Sequence, residues 1–368
     1  MIASPLPTLM IIPTGIGCTI GGYAGDAIPS ARLLAASSGC LITHPNVMNG
    51  AVLFWNDSRI HYVEGYSIDS FASAKICLRP VRRQKIGLLL DTAIEEELIQ
   101  RHLQVVDACK ATLGLDVGPI VKTDIPLDIS LNQSLSGVSW GGIGQPDALL
   151  QAGKKLKSLG ATAIAVVTRF PENTESKELS QYRRGVGVDV LAGAEAVISH
   201  LLVKYLKLPS AHSPALATLP IDVDLDPRAA SEELGYTFLP SVLIGLSRAP
   251  DLVSTTEDLN NKTLQFSSSE LIRPDQLGAV VAPEGALGGE AVLACLERQI
   301  PLIAVSNPNV MNVTSEALGI NNSINSSSSK NFIFVRNYFE AAGVVLALRE
   351  GINIASINRP IKKSLLGF

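Results

Sequence analysis

His44 stands directly before the string Pro-Asn-Val-Met-Asn, and Asn307 stands directly before the same string. The copies occupy residues 45–49 and 308–312 and hold two of the chain's four methionines, so chance repetition is a poor explanation. One copy presents a titratable imidazole where the other presents a neutral amide. Histidine titrates near neutrality and suits proton transfer. A duplicated scaffold that binds in both halves and does chemistry in one would carry this difference. His44 is therefore the first candidate for acid–base catalysis; a hydrogen-bonded strand-end histidine is the plainer alternative. Asp26 and Glu284 are the carboxylates expected beside it, because both lie in glycine-rich loops that should face one crevice.

The asparagines suit binding. Asn46, Asn49, Asn307, Asn309 and Asn312 each offer a donor and an acceptor on one short arm, able to meet a carboxylate, hydroxyl or peptide-like group. A paired structural corner competes with a paired ligand loop. Asn49-Gly50 is a hairpin-turn signal, but Asn312 precedes Val313, which is poor at positive φ. Hairpin chemistry is thus not the shared reason, and the strand-end position of both strings favours the ligand loop. Gly15, Gly17, Gly21 and Gly22 precede the first helix, and Gly288 and Gly289 the second. Glycine lets backbone approach a ligand, and a helix start offers free N–H groups. Neither loop carries the dinucleotide fingerprint or the Lys-Ser/Thr of a phosphate loop, which disfavours a nucleotide enzyme.

Other candidates are weaker. Glu195 and Glu290 open helices, where acids are favoured anyway. Cys18 is more commonly a packed thiol than a nucleophile. Arg183-Arg184 could clamp a carboxylate or lie in a solvated loop. His200 and His212 show no distinguishing context. No residue is assigned to a metal, and no cofactor is identified.

Each string ends a larger unit: strand, glycine loop with a Gly-Gly pair, helix, strand. The pattern predicts strands at 8–14 and 40–44 around a helix at 27–39, and a second such unit at 279–306. Between them lie a strand at 85–92, helix at 95–114, strand at 117–123, helix at 145–160, strand at 161–170, helix at 188–208 and a strand at 240–246. A strand and helix at 332–351 close the chain. Apolar strands alternating with helices imply an α/β fold, two-lobed, with parallel or mixed sheets flanked by helices and an internal strand–Gly loop–helix–strand duplication. One lobe is expected from 1–80 plus 275–368, the other from 81–274. Residues 253–270 and the Ser/Asn-rich 321–331 are expected as surface loops.

Composition narrows the function. A length of 368 residues implies about two domains. Charged residues make up 17%, which is low and implies a large core plus a buried interface, hence a homodimer or higher homo-oligomer. Apolar runs are broken by Pro, Gly or charge before about 18 residues, so no membrane partner is expected. The N-terminal stretch lacks a basic residue before its apolar part and contains Pro5 and Pro7, so it does not read as a signal peptide. Five cysteines without a CxxC pair suggest a reduced, cytoplasmic setting. A net charge of −4 without a basic tract argues against nucleic acid. A small-molecule ligand remains.

The stretches IIPTGIG, GGYAGDAIPSARLLA, LITHPNVMNGAVLFW, PDALLQAGKKLKSLGATAIAVVTRFPE and GVGVDVLAGAEAVISHLL resemble an uncharacterised family of cyanobacterial and plastid proteins, domain-of-unknown-function family 3326. The resemblance covers nearly the whole chain. It implies a photosynthetic source and, in a plant or alga, the plastid stroma; it implies no activity. The helix at 145–160 is also similar in general look to those of two-lobed amino-acid racemases, whose paired catalytic cysteines are not evident here. The residues themselves point to an enzyme acting on a small polar metabolite, a carboxylate or amide, by acid–base chemistry in an inter-lobe crevice. The alternative is a non-catalytic metabolite-binding or assembly protein.

Overall fold

The computed structural model describes residues 4–50, 57–172, 176–233, 238–256, 271–320, 331–357 and 359–361. Its larger sheet has six strands, in the order Phe332–Val335, Leu302–Val305, Ala279–Pro283, Leu6–Met10, Gly39–Thr43 and Ile60–Tyr62. Every pairing is parallel. At the centre Thr8 lies opposite Ala279. From these two central strands the chain moves outward in opposite directions. Helix Ile28–Ser38 then packs with Tyr338–Arg349 on one face, and helix Glu290–Glu297 packs with Gly65–Ala72 on the other. Right-handed crossovers that run in opposite senses require opposite faces. Within one strand, Met10 enters the first core and Leu9 the second. Burial on both faces is why these strands read as continuous apolar runs.

The second sheet has four parallel strands, in the order Ser210–Ala215, Ala163–Arg169, Ile86–Leu90 and Val117–Lys122. Helices Pro146–Ser158 and Ala192–Leu206 cover one face, and Glu96–Leu113 and Phe238–Ser247 the other. Two antiparallel pairs complete the described strands: Ile129–Gln133 with Ser139–Ile143, and Ile76–Arg79 with Asp251–Ser254. Parallel sheets flanked by helices are thus the architecture of this chain.

Three local expectations change. Residues 240–246, read as a strand, lie in helix Phe238–Ser247, where Leu239, Val242, Leu243 and Leu246 are buried at helical spacing. A short apolar run does not distinguish helix from strand, and Pro240 is tolerated in a first helical turn. Ser210–Ala215 is a strand that its small polar residues and Pro214 concealed; it lies at the sheet edge, where proline is accommodated. Asp251–Ser254 is paired rather than loop, whereas the rest of the loops expected at 253–270 and 321–331 lies almost wholly outside the described residues.

Helix Ala192–Leu206 joins the second sheet to the hairpin, crossing the strand Ser139–Ile143 closely. A Cβ on Gly193 would collide with Trp140 Cα and lie 2.6 Å from the Ser139 carbonyl oxygen. Backbone cannot rotate away. Gly193→Ala should cost about 1–3 kcal/mol of unfolding free energy by overpacking, read by denaturant titration, and an unchanged midpoint would refute this close crossing.

Candidate functional site: a carboxylate-lined cavity between the sheets

The first glycine loop is held by the two repeated strings. Gly21 has φ +89°, and a Cβ there would meet Ile12 side-chain atoms at 2.7 Å, so only glycine fits. Loop backbone of this kind has no strand ladder and needs other partners. On one side Asn46 Nδ2 donates to the carbonyls of Ile12 and Gly21, at 3.3 and 3.2 Å, while its Oδ1 accepts from Thr14. On the other side Asn307 Oδ1 accepts from Ile20 N–H at 2.9 Å and its Nδ2 donates to Ile20 O at 2.8 Å. Thr19 N–H donates to Pro308 O, and Val310 N–H to Ile16 O.

The identical pentapeptides nevertheless fold differently. Pro45–Met48 forms one helical turn, and Asn49 Oδ1 accepts from Tyr62 Oη. Residues 308–312 form no helix; Asn309 folds back, accepting from Met311 N–H and donating to Asn307 O. Asn312 is exposed. His44 Nε2 accepts from Ile12 N–H at 3.0 Å, which leaves the ring proton on Nδ1. Burial pushes its pKa down to about 4.

Between the sheets lies a cavity of about 520 Å³. The first string forms part of its wall: His44, Asn46 and Asn49 line it, together with Gly22 and Gly289. The other sequence candidates stand off the wall, namely Gly15, Gly17, Gly21, Asp26, Glu284, Gly288, Asn307, Asn309 and Asn312. Asp26 accepts from Gly21 N–H and pairs with Arg228 at 3.1 Å. Glu284 Oε1 accepts from the Ser315 amide and hydroxyl. Gly15 packs on Ser139, Gly17 on Val188 and Gly288 on Val313. Cys18 is a buried thiol, pushed up to about 12 by burial and by Asp26. Arg183 clamps a carboxylate, but one of this chain: Nε and Nη2 donate to Glu233 at 2.7 and 2.8 Å.

The wall also holds groups that the sequence marked only weakly, His212, Glu195 and His200, or not at all. His212, on the edge strand Ser210–Ala215, places Nε2 2.5 Å from Thr168 Oγ1 and Nδ1 3.3 Å from Glu195 Oε1. Phe170 meets the ring edge-on at 5.2 Å. Asp189 accepts from the Leu191 amide at the start of helix Ala192–Leu206. Its pKa is raised to about 7, by burial and then by the Glu195 charge. Glu232 accepts from Ala24 N–H and Tyr182 Oη, both at 2.7 Å, and is raised to about 8 by burial and by Asp189. Further along, His200 Nδ1 lies 2.5 Å from Glu64 Oε1. Burial works to lower the His200 pKa, but Glu64 outweighs it and the net shift is upward. Asp69 is raised to about 6 by burial and by Glu290. Asp189, Glu232, Glu64 and Asp69 carry no local motif. Only the fold gathers them from positions 64 to 232.

The class defined by this fold is a doubly wound α/β protein with a second parallel sheet and a carboxylate-rich cavity between them. The chain belongs to the DUF3326 family, described as protein of unknown function, whose model matches residues 7–358. It is similar to an uncharacterised lipoprotein of a Synechococcus strain, with 47% identity over 359 residues that cover 97% of this chain and 95% of the relative. That relative is a lipoprotein by name, and this overturns the cytoplasmic or stromal location expected from the sequence. No helix among the described residues is long and apolar enough to cross a membrane. A lipid anchor requires no such span, so the broken apolar runs never decided location.

Asn307→Ala leaves both Ile20 backbone groups without their partner and should lower stability by about 1–3 kcal/mol, measured by denaturant unfolding; a neutral effect would remove the bracing role. Asp189 and Glu232 hold protons in the folded state at pH values where the unfolded chain has lost them. Unfolding free energy should therefore fall as pH rises from about 4.5 towards 8. Glu232→Gln and Asp189→Asn should each flatten that slope; an unchanged slope in both variants contradicts it.

Proposed function

We propose that this protein is an acid–base enzyme acting on a small polar metabolite held between the two sheets. The observation that supports this best is the placement of His212 on the cavity wall between a hydroxyl and a carboxylate. Thr168 is fully buried and off the wall, so it fixes the ring rather than attacking a substrate. Glu195, also on the cavity wall, stands beside Nδ1 and supports a positive charge on the ring when a proton arrives. Asp189 and Glu232 are poised near neutrality, as proton donors and acceptors must be. His44, neutral at physiological pH, can offer Nδ1–H to a bound substrate, with the Asn46 and Asn49 side chains beside it. Isomerisation needs only such proton movements; elimination adds the departure of a leaving group that the acid protonates, and hydrolysis adds attack by a water that the base deprotonates. The second reading is a non-catalytic binding protein. It is favoured by the commitment of His44 Nε2, Asn46 and Asn49 to partners within the chain.

A metabolite mixture followed by NMR decides between them. The protein should consume one component, and His212→Asn and Asp189→Asn should each lower that turnover by about 100-fold or more. In both variants turnover should fall further than the ligand-induced rise in melting temperature does, and His44→Asn should weaken that rise. A ligand that raises the melting temperature but is never converted establishes the binding protein instead.

A further inference from the structure

Three helix N-termini reach the cavity, and each is already capped by a carboxylate of this chain. Asp189 Oδ1 accepts from Leu191 N–H at 2.8 Å, at the head of Ala192–Leu206. Asp69 Oδ1 accepts from Ala291 N–H at 3.1 Å, in the first turn of Glu290–Glu297. Glu64 Oε2 accepts from Tyr66 N–H at 2.8 Å, in the first turn of Gly65–Ala72. Free helix N-termini attract anions; these are occupied. Among the described residues the wall carries nine Asp and Glu side chains and one arginine, and that arginine, Arg183, is bound to Glu233. An incoming carboxylate or phosphate meets no unengaged cation among them.

A second observation is independent of the acids. His212 is 4% exposed, and its Nδ1 makes no hydrogen bond. Glu195 Oε1 lies 3.3 Å away without the alignment for one. A buried ring nitrogen of this kind calls for a partner. A donor N–H placed between Nδ1 and Oε1 satisfies both, with the ring proton on Nε2 directed at Thr168. The rest of the wall includes Leu191, Leu216 and Phe238, which suit an apolar body.

We infer that the cavity takes a small organic cation, with its ammonium or amidinium group against Glu195, Asp189 and His212 and its apolar body along Leu191, Leu216 and Phe238. This rests on the cavity being the ligand site of the proposed enzyme, and it names the class of ligand: an amine rather than an acid. A volume of about 520 Å³ suits a molecule of that kind. Desolvated carboxylates bind a cation more strongly than the same groups in water do.

The test uses three probes of one shape, hexylamine, hexan-1-ol and hexanoate, titrated calorimetrically into the full chain at pH 8 and low salt. Hexylamine should bind saturably and at least 10-fold more tightly than hexan-1-ol, and hexanoate should give no heat. Glu195→Gln should weaken hexylamine at least 10-fold; it keeps the side-chain shape at a half-buried position. Asp189→Asn, at a second half-buried site, should weaken it too and covers the case in which the first variant does not fold. Tighter binding of hexanoate overturns the inference and leaves the cavity as a ligand site. Equal hexylamine affinity in both variants, or no binding of any probe, also overturns it. Hexylamine binding in a protein that converts no metabolite keeps the inference and removes the enzyme.

Discussion

The two hydrogen bonds between the Asn307 amide and the backbone of Ile20 hold the part of the molecule on which the cavity depends. The loop from Gly15 to Gly25 includes four glycines at positive φ. It belongs to no ladder, so its polar backbone must be satisfied from outside. Asn307 does this from the position just before the second string, with Pro308 and Val310 inside it, and Asn46 does it from the first. Each such bond contributes about 1 kcal/mol net, but leaving its buried partners unmet costs more than its formation contributes. The repeated string thus has a physical use at both ends of the chain: the copies grip one loop from two sides.

From that loop the contacts pass to the other half of the protein. Ala24 N–H donates to Glu232, Tyr23 stacks on Tyr182 at 4.2 Å, and Asp26 binds Arg228. Arg228 also lies over the Tyr23 ring at 4.2 Å. These contacts bring Glu232 and Tyr182 to the cavity wall. The carboxylates that stand there repel one another and are partly removed from water. Both effects favour protons on them, and both would be relieved by a bound cation. Ion pairs away from the cavity wall, such as Arg169 with Glu95, are more exposed and are expected to contribute at most about 1 kcal/mol each.

Doubly wound sheets hold ligands where the chain leaves two adjacent central strands in opposite directions. Here that point lies beyond Met10 and Pro283, and the glycine loop fills part of it. The cavity lies to one side of it, with His44, Pro45 and Asn46, which follow Thr43, and the first turns of helix Ala192–Leu206 both on its wall. Gly17 on Val188 sets how closely the glycine loop approaches the segment before helix Ala192–Leu206, and Gly193 on the Trp140 backbone sets how closely that helix crosses its neighbouring strand.

The sequence by itself determined the strands that are buried on both faces, because continuous apolar runs flanked by glycine and helical periodicity are local signals. It also marked the repeated string, and it placed His44, Asn46 and Asn49 at a strand end that borders the cavity. Only the tertiary structure decided that one copy of Pro-Asn-Val-Met-Asn is helical and the other is not, since the five residues are the same and their partners differ. It decided equally that 238–247 is a helix, where periodicity over so short a run was ambiguous. Asp189, Glu195, His212 and Glu232 meet only after two sheets, a hairpin and a glycine loop have packed together. Each of them has an ordinary local context, and their shared electrostatics depends on distances that no spacing in the chain encodes.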